Sequence, residues 1–152
     1  MEISNHQNEH PARPWLLCRA GTRLCALPLG LVVETMRPLP IDALPGAPDF
    51  VAGLSIIRGA PVPVVDTARL FGETTAQHRR LVACAVGGRR IALAVEEVAG
   101  VAAFAEAETA ALPPLLGAAD GAAIERLRVL DGEVLLLLDA ARLAAEVPEA
   151  AA

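Results

Sequence analysis

The chain has 152 residues, enough for one domain or two small fused subdomains with a core that needs no disulfide or metal. Hydrophobic residues make up 54% and charged residues 20%, which excludes disorder outside the ends, and no apolar run is long enough to cross a bilayer. The net charge is −5 and all 13 basic residues are Arg, so there is no broad basic face for a phosphate backbone and nucleic acid is excluded as a partner.

Residues 1–13 are polar, lack an apolar h-region and read as a flexible tail. Trp15–Arg19 and Leu24–Leu29 then form a strand pair around Gly21-Thr22, which puts Cys18 opposite Cys25. With three cysteines and no metal-ligand spacing, a reducing compartment and free packing thiols are expected, although this register would also permit a Cys18–Cys25 disulfide. Further on, Gly53–Ile57 and Val62–Val65 are apolar runs separated by a turn at Arg58-Gly59. Pro61 and Pro63 cannot donate ladder hydrogen bonds, so this strand should be an edge or should pair on one side only. Asp66 ends it and should N-cap a short helix.

The second half repeats the first. Ala20–Leu27 aligns with Val86–Leu93 at an offset of 66, and Val64–Leu70 aligns with Leu137–Leu143 at an offset of 73. Gly21 thus corresponds to Gly87, Gly59 to Gly132, and the N-cap Asp66 to Asp139, so each half opens with a hairpin and closes with apolar strand, Asp and helix. Polar Glu73–His78 marks the boundary between halves. Ala105–Ala123, rich in Ala, Pro and Gly, reads as loop with a helical turn, and Asp139–Glu146 as the one longer helix. Short, regularly spaced strands indicate a mainly β, barrel-class fold.

Catalytic chemistry is poorly supplied. The two serines, Ser4 and Ser55, are in no nucleophile-elbow pattern. His6 and His10 have metal-binding helical spacing, but Pro11 opposes a helix there and no third ligand is near. Gly87-Gly88-Arg89-Arg90 lacks the lysine and spacing of a phosphate loop and reads as a hairpin turn with solvated arginines. Glu96 and Glu97 are adjacent on a strand and point to opposite faces. No enzyme, metal or cofactor is expected.

The run Pro48-Asp49-Phe50-Val51-Ala52-Gly53-Leu54-Ser55-Ile56-Ile57-Arg58-Gly59-Ala60-Pro61-Val62-Pro63-Val64-Val65-Asp66 resembles the signature of CheW-like domains, and the similarity extends from Trp15 to Leu143. The resemblance implies two intertwined, SH3-like, five-stranded β-barrels with short helices. It also implies a non-catalytic cytoplasmic adaptor that couples chemoreceptor tips to the regulatory domain of a CheA-type histidine kinase, with no direct membrane insertion. By the same resemblance Arg58, Glu34, Val32 and Val101 face the receptor. Ile56 stands where the family has Asn, and Thr67 where it has Leu, so receptor specificity and pathway are left open. A stand-alone SH3-like module serving another cytosolic partner is the alternative. The expected division is a single domain over 14–146, with subdomain 1 formed by 14–72 plus 139–146, subdomain 2 by 80–138, the C-terminal helix packed on the first barrel, and a flexible 147–152.

Overall fold

The structure is a computed structural model that describes residues 11–74, 77–112 and 123–149. Ten strands alternate with short helical turns: β1 (Arg13–Ala20), β2 (Arg23–Pro28), β3 (Val32–Met36), β4 (Val51–Ile57), β5 (Ala60–Asp66), β6 (Arg80–Val86), β7 (Arg89–Val95), β8 (Glu97–Phe104), β9 (Ile124–Leu130) and β10 (Glu133–Leu138). Helix α1 (Thr67–Leu70) follows β5, and α2 (Ala140–Glu146) follows β10. Asp66 Oδ1 accepts from Arg69 N and Asp139 Oδ1 from Arg142 N, each at 3.1 Å, so both helices start on a carboxylate that satisfies a free N–H. Most of the tail, His6 and His10 included, lies outside the described residues, as do 113–122 of the Ala-Pro-Gly segment and 150–152. Arg13, assigned to the tail, opens β1 opposite Phe104. Val147, assigned to a flexible end, is buried.

The strands form two five-stranded sheets, β8-β1-β2-β10-β9 and β3-β6-β7-β5-β4. This corrects the division at residues 72–80. The β1–β2 hairpin pairs with strands of the second half, and the β6–β7 hairpin pairs with strands of the first. Replacing every strand of one sheet by its repeat equivalent reproduces the order of the other, so the halves have exchanged hairpins. Register follows the repeat as well: Leu137 pairs with Ala26 in the parallel β10–β2 contact, as Val64 pairs with Ala92 between β5 and β7. A repeat specifies which strand types are neighbours but not which copy supplies them, since both choices satisfy the same backbone bonds.

Burial on both sides explains the unbroken apolar runs. Trp15, Leu17, Leu24, Ala26, Leu135 and Leu137 point into the first barrel together with Phe104. Ile57, Val62, Val64, Leu81, Ala92 and Ala94 fill the second. The alternate residues, among them Leu16, Cys18, Cys25, Val65, Val82, Cys84, Ile91 and Leu138, make a third core shared by the two sheets. Helix α2 continues from β10 of the first sheet and buries Leu143 and Ala144 in this shared core. Its neighbour across the core is β6, and Arg89 of β7 donates to the carbonyls of Ala144 and Val147 at its C-terminal end, so the helix lies at the seam of the two sheets.

β5 is interior, between β4 and β7, so it is not an edge. The one-sided alternative holds locally: Ala60–Pro63 pair only with β4, and pairing with β7 begins at Val64.

Candidate partner-binding site

Ile57 pairs with Ala60, leaving Arg58 and Gly59 as a two-residue turn with φ of 52° and 82°. This is the left-handed conformation of a type I′ hairpin, where glycine is free and arginine is held against its preference. Asp131-Gly132 makes the equivalent turn of the β9–β10 hairpin with φ of 51° and 80°. Asp tolerates this region through its short side chain, whereas Arg58 has no such compensation of its own.

Its guanidinium is instead held across the barrel mouth. Arg58 Nε donates to Glu34 Oε2 at 3.0 Å and Nη2 to Oε1 at 2.7 Å, a two-point fork that ties the β4–β5 turn to β3. A bulge between Val32 and Glu34 turns Val33 outward, 45% exposed, and sets Glu34 on the barrel face two residues before Met36. The Arg58 side chain is 74% exposed and that of Glu34 is 25% exposed, so the fork presents its cationic half to solvent. The hydrogen bonds from Arg58, assisted by its charge and that of Arg90, hold the Glu34 carboxyl below its ordinary value. The pair raises the Arg58 guanidinium correspondingly. At neutral pH the site is one fixed anion beneath a fixed cation.

Apolar surface lies beside it. Ile56, 63% exposed, pairs directly with Pro61, and Val129, also 63% exposed, occupies the repeat-equivalent position opposite Val134. Of the other residues singled out by resemblance, Val32 lies on the same strand as Glu34, half-buried against the shared core. Val101 is 57% exposed on β8, an edge strand of the other sheet.

Other polar groups serve the framework. Glu73 accepts from the backbone N–H and hydroxyl of Thr22, holding the β1–β2 turn against α1. Arg19 forks onto Glu133 at 2.7 and 3.0 Å across β2. Cys18 and Cys25 stand directly opposite and free, and Cys84 is the repeat equivalent of Cys18. Burial pushes the Cys18 and Cys84 thiols up to about 12, and that of Cys25 well up, so all three are un-ionised packing residues at neutral pH. Among the described residues no group of three His, Cys, Asp or Glu side chains converges to hold a metal.

Two arginines read as solvated turn residues have places of their own. Arg89 secures the end of α2, and Arg90 stands on the barrel face of β7 two residues before Ala92. The signal for Arg90 was present in the repeat alignment, where its counterpart is the buried Leu24.

The chain thus folds as a two-barrel β protein with exchanged hairpins, an Arg–Glu fork at one barrel mouth and exposed apolar residues on its hairpins. The chain belongs to the CheW-like domain family, whose model matches residues 14–147. Among solved structures it is similar to the scaffolding protein TtCheW from Thermoanaerobacter tengcongensis, with 22% identity over 86% of this chain and 90% of that one and a TM-score of 0.73, which establishes the shared two-barrel fold. No curated protein sequence matches it significantly.

Proposed function

We propose that this chain is a non-catalytic scaffold of a chemosensory array, in which it couples a chemoreceptor tip to the regulatory domain of a CheA-type histidine kinase. Family membership supplies the class of function, and the Arg58–Glu34 fork is the observation that carries the receptor half of it. A guanidinium already oriented by a carboxylate loses little freedom on binding and can still donate its remaining N–H groups to a partner. Val32 and Val101 belong to this reading as apolar contacts of the receptor face. The kinase half rests on the exposed hairpin pairs Ile56–Pro61 and Val129–Val134, apolar surface suited to end-to-end contact between homologous barrels. No helix among the described residues is long and apolar enough to cross a membrane, and the proposed place of action is the cytoplasmic side of a receptor array.

Calorimetry and size-exclusion chromatography with the CheA-like regulatory domain and a receptor cytoplasmic fragment from the same organism test the assignment. Binding of both, and a ternary complex, is the expected result. Binding of neither would overturn it in favour of an SH3-like module serving another partner.

A further inference from the structure

The parallel contact between β5 and β7 keeps the register of its repeat equivalent but begins two residues later along the strands. In the first sheet Leu135 pairs with Leu24 and Leu136 with Cys25, but the corresponding residues, Val62 with Arg90 and Pro63 with Ile91, are unpaired in the second. Pro63 has no N–H to donate, so the two strands part there. The opening is a cleft of about 280 Å³ between Ala60–Pro63 and Arg89–Arg90, closed at one side by Glu149. Ala60 follows directly on the Arg58-Gly59 turn, so this cleft and the Arg58–Glu34 fork share one rim.

Arg90 is the unspent charge on that rim. Both oxygens of Glu34 are taken by Arg58, and among the described residues no carboxylate lies within ion-pair distance of Arg90. Arg89, beside it, is committed to the end of α2. In a chain of net charge −5, Arg90 and the neighbouring Arg58 thus set two exposed guanidinium groups beside an apolar, proline-lined floor, while the one carboxylate in the cleft lining, Glu149, lies 3.9 Å from Arg89.

We propose that Arg90 is a second cationic contact of the receptor face, and that the β5–β7 cleft seats a receptor segment bearing a carboxylate next to an apolar side chain. This rests on the reading that the Arg58 face binds receptor, and deepens it by naming the charge of the partner. Complementarity selects the occupant: a cationic segment would meet two guanidinium groups, and a purely apolar one would leave Arg90 desolvated and unpaired.

The test measures binding of a purified receptor cytoplasmic fragment from the same organism to wild type, Arg58→Ala, Arg90→Ala, Arg90→Lys and Arg90→Glu, at low and high salt, with melting temperatures for each. Expected is a loss of about three- to tenfold for Arg90→Ala, partial retention in Arg90→Lys, a larger loss for Arg90→Glu, and a shallower salt dependence in Arg90→Ala, all at unchanged melting temperature. If Arg58→Ala weakens binding and the Arg90 variants do not, the inference falls and the receptor reading stands. If neither position matters, the receptor reading falls and takes the inference with it.

Discussion

The two barrels come from one repeat, share strand order and register, and close their mouths with opposite chemistry. In the second barrel the mouth holds Glu34, Arg58 and Arg90. In the first, the equivalent residues are Gly100, Asp131 and Leu24, and Leu24 packs into the barrel interior with Trp15 and Leu135. A barrel needs its mouth only to exclude water, which apolar packing does without loss. Charges add nothing to that task, since exposed pairs contribute little to stability. Under the proposed function, the Arg58–Glu34 fork and Arg90 serve partner binding at the second mouth, where the first uses Leu24 for packing.

The largest effect should come from exchanging the two chemistries. Leu24→Arg would force a guanidinium into the first barrel and cost on the order of 3 kcal/mol or more, whereas Arg90→Leu should change stability by no more than about 0.5 kcal/mol. Chemical denaturation measures both, and equal costs would erase the distinction between the mouths.

Next comes a difference in backbone approach. Gly53 lies in the β4 bulge with φ of 148°, and a Cβ there would sit 2.0 Å from the Asp42 carbonyl oxygen. Gly53→Ala should therefore cost about 2 kcal/mol or more. The equivalent bulge residue of the first sheet is Arg126, which bonds Thr109 O at 3.0 Å, and Arg126→Ala should cost about 1 kcal/mol. A Gly53→Ala protein of wild-type stability would show that the loop through Asp42 can withdraw.

Third, Arg58→Ala should lower receptor affinity roughly ten- to a hundredfold with the fold intact, while Asp131→Ala at the matching turn leaves affinity unchanged. Equal losses at the two turns would mean that both mouths bind. Glu34→Ala should follow Arg58→Ala, and the double variant should add little if the fork acts as one unit.

The smallest effect is expected in acid. Among the described residues each barrel has one two-point Arg–Glu pair, Arg58 with Glu34 and Arg19 with Glu133, and the hydrogen bonds from Arg lower both carboxyls relative to their ordinary value of 4.5. The stability they contribute is present above that value and is lost as pH falls through the lowered one. Glu34→Gln and Glu133→Gln should each slightly flatten the decline in stability below about pH 4.5. A steeper decline in either variant would contradict the assigned direction.

Much of this architecture was legible in the chain. Apolar runs four and five residues long announced strands buried on both faces, the offsets of 66 and 73 announced duplicated units, and Asp66 and Asp139 announced their helix starts. Arg58 stands out in the sequence as a charged residue at a glycine turn between two apolar runs. Its fork with Glu34 was not legible, because the two residues lie 24 positions apart and a bulge decides which face Glu34 takes.

Local sequence determined the elements because propensity, capping and turn geometry act over a few neighbouring residues. It also determined the two-faced burial, which alternation along a strand encodes directly. Tertiary structure alone decided which hairpin joined which half. With the same residues and register available within a half or across halves, no local signal distinguishes the pairings, and only the packing of the whole chain around its shared core selects one. The same closure brought Arg90, from a hairpin of the second half, beside Glu34 and Arg58 of the first.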